Sequence, residues 1–99
     1  MSASLTLDQA SPRYGDTLSF TYTLPEHNPP KYPAIYVRAY QAGVLVYASG
    51  GYPIGAFSFK LGSVSWTGGA ADAKATLVGA DPERGHDKVL AEVDFSVLA

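Results

Sequence analysis

The chain predicts an all-β fold, an antiparallel sandwich of about seven strands. Three observations predict it. Apolar residues recur with period two along most of the sequence, and with period 3.6 almost nowhere. Clusters of Gly, Pro, Asn and Asp interrupt those runs at short intervals. The 99 residues, 46% of them hydrophobic and 16% charged, suit one hydrophobic core and are too apolar for a disordered tail, so residues 1–99 are expected to form a single domain.

The elements follow in order. Ala3, Leu5 and Leu7 alternate with Ser4, Thr6 and Asp8, which predicts a first strand, and Ser11-Pro12-Arg13-Tyr14-Gly15-Asp16 predicts a turn-rich link. From Thr17 to Leu24 the alternation is cleanest, with Leu18, Phe20, Tyr22 and Leu24 on one face. The stretch Pro25–Pro33 holds four of the seven prolines and is expected as a crossover loop, because proline donates no ladder bond. Ala34–Gln41 predicts a strand with Ile35, Val37 and Ala39 opposed to Tyr36, Arg38 and Tyr40, and Gly43 turns it into a hairpin with Val44–Ser49. Gly50–Gly55 reads as a loop. Phe57, Phe59 and Leu61 begin another strand that Gly62 breaks or bulges before Val64 and Trp66. After a turn at Gly68-Gly69, Ala71, Ala73, Ala75 and Leu77 face inward. Residues 79–87 read as a polar loop, and Val89, Ala91, Val93, Phe95 and Val97 share one face of the last strand.

Composition excludes several function classes. The absence of cysteine removes disulfides, thiolate metal sites and cysteine nucleophiles. A net charge of -2 gives no electrostatic footing for nucleic acid. No run approaches the ~18–20 apolar residues that span a bilayer, so no membrane partner is expected. Met1-Ser2-Ala3-Ser4 has neither a basic region nor an apolar stretch of the secretory kind, so the expectation is either a whole small protein that is not secreted or a domain cut from a longer chain.

Pro12-x-x-Gly15-Asp16-x-Leu18-x-Phe20 resembles the passage from the first to the second strand in bacterial and phage immunoglobulin-like domains. Ala71-Asp72-Ala73-Lys74-Ala75 is similar to their strand F, and the Val89–Val97 alternation to their strand G. The resemblance implies an immunoglobulin-like β-sandwich. It departs from the antibody pattern: Phe20 and Ala75 stand where cysteines would pair, and no tyrosine corner precedes Ala75.

Chemistry-bearing groups are sparse. His27 and His86 lie in predicted loops with no nucleophile setting beside them, so no catalytic residue is expected. Asp81, Glu83 and Asp87 share a loop, but their spacing matches no calcium loop and Arg84 opposes a cation, so no metal is expected. Asp16 reads as a turn residue that bonds backbone N–H groups. Gly50-Gly51 and Gly68-Gly69 are too short for a phosphate cradle and precede no helix, so they read as turns and no cofactor is expected.

Tyrosine is the informative residue. It occurs seven times, more often than Phe and Trp together, and pairs an apolar ring with a polar tip suited to interfaces. Tyr36, Arg38 and Tyr40 share the face opposite Ile35, Val37 and Ala39. A three-residue hairpin loop, with Gly43 left-handed, sets Val44 and Val46 beside the tyrosines. A two-residue loop sets Leu45 and Tyr47 there and strains Ala42; the first is preferred. Tyr36, Arg38, Tyr40, Val44 and Val46 are therefore the expected partner-binding residues, the opposite strand parity being the alternative. The expected function is a non-catalytic binding or structural module, a virion accessory protein that decorates a capsid or associates with a tail. The alternative is one domain of a secreted or cell-surface bacterial adhesin or carbohydrate-binding protein, in which Tyr36, Tyr40 and Trp66 stack on sugars.

Overall fold

Eight strands form among the described residues: β1 (Ser4–Leu7), β2 (Thr17–Leu18), β3 (Phe20–Thr23), β4 (Tyr32–Gln41), β5 (Val44–Gly51), β6 (Phe59–Lys60), β7 (Ala71–Asp81) and β8 (His86–Val97). The computed structural model describes residues 3–26, 30–81 and 86–99, and no helix occurs among them. All strand pairs are antiparallel. The long strands make a four-stranded sheet in the order β5-β4-β7-β8, while β1 pairs with β3 and β2 with β6. The chain after β1 closes onto the end of β8: Leu98 N–H donates to the Pro12 carbonyl at 2.8 Å, and Tyr14 N–H to the Leu98 carbonyl at 2.7 Å.

The predicted parity of β4 and β7 is correct. Ile35, Val37 and Ala39 of β4 and Ala71, Ala73, Ala75 and Leu77 of β7 are buried in the core. That inner face consists largely of small side chains, and the volume opposite is filled by large ones. Trp66 is fully buried, with Tyr14 and Tyr47 edge-on to it at centroid distances of 5.3 and 5.9 Å. Small-against-large packing of this kind fills a core at normal density without forcing side chains off their rotamers. The Trp66 indole N–H donates to the Gly69 carbonyl at 3.0 Å, which lets a polar atom enter a dry site. Trp66 thus belongs to a Ser63–Trp66 turn (Ser63 N–H to the Trp66 carbonyl at 3.0 Å), not to a strand, and it offers no stacking surface to a sugar. Leu18, Val37, Phe59 and Ala75 are buried in this core, while Phe20, Val93 and Phe95 pack on its margin and stay partly exposed.

Several expectations fail where hydrogen bonding overrides the pattern. The run Thr17–Leu24 is interrupted at Ser19, because its first residues ladder with β6 and its later ones with β1. The Gln9 amide fills the gap, donating to the Thr17 carbonyl at 2.7 Å and accepting from Ser19 N–H at 3.3 Å. Pro33 lies inside β4, opposite Gly79, at a point where β4 has only β7 as a neighbour and needs no second donor. Gly50-Gly51 is not a turn but the end of β5, where any side chain on Gly50 would run into the backbone of Ile35. Phe57 lies outside the strand it was expected to start, and β7 and β8 run as a ladder to Asp81 and His86, well into the expected polar loop.

Candidate functional site

The face of the four-stranded sheet that points away from the core carries the expected residues Tyr36, Arg38 and Tyr40. In register across the ladder, Tyr36 stands opposite Thr76 and then Glu92, Arg38 opposite Lys74 and then Asp94, and Tyr40 opposite Asp72 and then Ser96. Together these strands enclose an open groove of about 400 Å³, lined by the two tyrosines, Arg38, Lys74, Thr76, Val78, Val89 and Glu92. Thr76 and Val78 form its floor and are buried although they lie on the outer side of the sheet. A groove of this size holds several side chains or one small ligand.

The hairpin reaches this face differently from the preferred expectation. Gln41 pairs directly with Val44, so the loop has two residues, with φ of 51° at Ala42 and 81° at Gly43. That is the primed geometry whose twist matches the strands, and the strain at Ala42 is offset by tertiary bonds. Gln41 Nε2 donates to the carbonyls of Gly68 and Ala70 at 3.0 Å each, which holds the end of β4 in place. Tyr40 then pairs with Leu45, and a bulge before the Ala39–Tyr47 pair shifts the register. As a result Leu45, 47% exposed, stands beside Tyr40, while Val46 and Tyr47 are both buried in the core. Val44 is 64% exposed but pairs with Gln41 on the other side. Neither Val44 nor Val46 therefore lies beside the tyrosines.

A second bulge, between the Leu77–Ala91 and Val78–Val89 pairs, moves Val89 from the expected inner face to the groove wall. The alternative two-residue loop thus places Leu45 correctly, while the bulge before the Ala39–Tyr47 pair turns Tyr47 into the core. The residues missed by the sequence reading (Val78, Val89 and Glu92) are those whose place depends on a bulge or on which strand lies next to which.

Electrostatically the face is mixed. Lys74 Nζ lies 3.9 Å from Glu92 and 3.8 Å from Asp94, long contacts between exposed groups. Arg38 makes no ion pair among the described residues, and its guanidinium lies 5.8 Å from the centre of the Tyr36 ring, within cation–π range. On the core side, burial pushes the Tyr47 phenol above its ordinary range, with a Ser49 hydrogen bond acting in the opposite sense.

The other candidates have simple places. Asp16 accepts from Arg13 N–H at 2.9 Å and caps its own turn. Among the described residues, no group of three or more His, Cys, Asp or Glu is placed to hold a metal ion. His27 and Glu83 lie outside the described residues, as do the side chains of Asp81, His86 and Asp87. No helix among the described residues is long and apolar enough to cross a membrane. No family model, curated protein or solved structure matches this chain.

Proposed function

We propose that the chain is a non-catalytic binding module of immunoglobulin-like design, docking on a larger protein assembly through the outer face of its four-stranded sheet. The observation that carries this reading is the groove itself. Two tyrosines, Val78, Val89 and Arg38, which makes no ion pair among the described residues, converge on one open groove, the composition of a protein contact site. The immunoglobulin-like assignment is supported by connectivity. The sheet order β5-β4-β7-β8 corresponds to C′-C-F-G in that fold, β1, β2/β3 and β6 correspond to A, B and E, and the Arg13–Leu98 bridge runs parallel as A′ does to G.

The assembly we assign is a virion, with the chain as a capsid-decorating or tail-associated accessory. A small, cysteine-free domain with one adhesive face suits that role. Carbohydrate binding is less favoured because Trp66, the largest aromatic, is in the core. The test is to co-express the chain with the structural proteins encoded beside its gene and to follow it through a density gradient. Co-sedimentation with particles is expected, reduced at least tenfold by Tyr40→Ala with melting unchanged. A chain that sediments alone, or a Tyr40→Ala variant that binds like the parent, overturns the reading.

A further inference from the structure

Resting on that contact face, we infer that its partner presents an extended protein segment with one carboxylate side chain, flanked by apolar residues, which pairs with Arg38. The inference comes from what covering the groove would do to that guanidinium. Arg38 lies between Tyr36 and Tyr40 on β4, directly opposite Lys74 on β7, and like charges in that relation repel. Lys74 has Glu92 and Asp94 within 4 Å, whereas Arg38 has no carboxylate that near among the described residues. In water this costs little. Under a partner, an unpaired guanidinium beside aromatic rings and valines is strongly unfavourable, and the covering surface must bring the counter-charge. A carboxylate matches the planar donor fork of Arg with two parallel bonds.

The surroundings argue against a more highly charged anion. Glu92, Asp94 and Asp72 ring the Arg38–Lys74 pair, and the chain carries a net charge of -2, so a phosphate would meet more repulsion than a carboxylate. The apolar flanks follow from the groove, where Val78 and Val89 lie at one end and Leu45 stands beside Tyr40 at the other. An extended segment suits a surface whose rows repeat every second residue along β4.

The probe is an array of immobilised heptapeptides with Asp, Glu, Asn, Gln or phosphoserine fixed at the centre and Val, Leu, Phe, Tyr, Ser or Lys varied around it. The folded chain is expected to retain Asp- and Glu-centred peptides with apolar flanks at least fivefold over their Asn and Gln counterparts. Arg38→Gln should abolish that ratio, while Lys60→Gln, on β6, should preserve it. Peptides that are retained without regard to central charge, yet lost on Tyr40→Ala, overturn the carboxylate inference and leave the contact face standing. Stronger retention of phosphoserine overturns it in favour of another anion. If no peptide is retained better by the parent than by Tyr40→Ala, both the inference and the face fall.

Discussion

The two outward faces of the molecule cover their sheets in opposite ways. On the β1–β3 side the outward residues Ser4, Thr6, Thr21 and Thr23, extended by Asp8, are short and polar. Four of them bond in pairs, Ser4 to Thr23 at 2.7 Å and Thr21 Oγ1 to Asp8 Oδ1 at 2.8 Å, while Tyr22, on the inner side opposite Leu5, is itself 37% exposed. On the β4–β7–β8 side the outward positions hold Tyr36, Arg38, Tyr40, Lys74, Val89 and Glu92 around a groove whose floor is the buried Thr76 and Val78. Both faces back onto the same core. The hydroxyl face demonstrates that this chain can cover a sheet with short polar groups that satisfy themselves. Aromatic and aliphatic groups on the other face are therefore not something the fold requires, and that contrast is the strongest internal argument for a contact role.

The comparison assumes one shared core, and Trp66→Ala tests that assumption with the largest effect. Loss of the indole should lower stability by about 3–5 kcal/mol, through lost burial and the cavity left beside Tyr14 and Tyr47. Urea unfolding followed by tyrosine fluorescence and by circular dichroism should give coincident transitions; separate transitions would mean that the two layers do not fold together.

The next effect has the opposite sign. Ala42 sits at φ 51°, where an L side chain is disfavoured by about 1–2 kcal/mol, so Ala42→Gly should stabilise by up to about 1 kcal/mol after the added freedom of the unfolded chain is counted. A loss of stability in denaturant melts would show that the turn is not the two-residue form that sets Leu45 on the aromatic face.

The faces themselves are compared directly by exchanging their chemistry. Tyr36→Thr with Tyr40→Thr should shift stability by no more than about 1 kcal/mol and abolish co-sedimentation. Thr6→Tyr with Thr21→Tyr should leave co-sedimentation intact. Collapse of the first double variant in thermal melts would make the tyrosines structural and remove the contrast.

The smallest effect is confined to alkali and belongs to the tyrosine on the core side. Because burial raises the Tyr47 pKa above the ordinary value of 10.0, the folded chain holds that proton more tightly than the unfolded chain. Its contribution is fully present below pH 10 and is lost as pH rises from there through the raised folded value. The decline in melting temperature above pH 10 should be shallower in Tyr47→Phe, and an unchanged slope would contradict the assignment.

Period-two alternation determined much of this protein by itself. The strand class, the inward set Ile35, Val37, Ala39, Ala71, Ala73, Ala75 and Leu77, and the outward trio Tyr36, Arg38 and Tyr40 were all legible, because successive side chains in a strand must point to opposite faces. Tertiary structure decided what alternation cannot encode. The two-residue loop placed Leu45 outside, and each bulge adds one residue and inverts the parity beyond it, which turned Tyr47 into the core and Val89 outward. The turn at Ala42 was decided by bonds from Gln41 to a segment about 27 residues away, not by its own preference. The groove likewise exists only because β4, β7 and β8 lie side by side. That order brings β4 beside β7, strands separated in sequence by β5 and β6, and no local pattern carries that information.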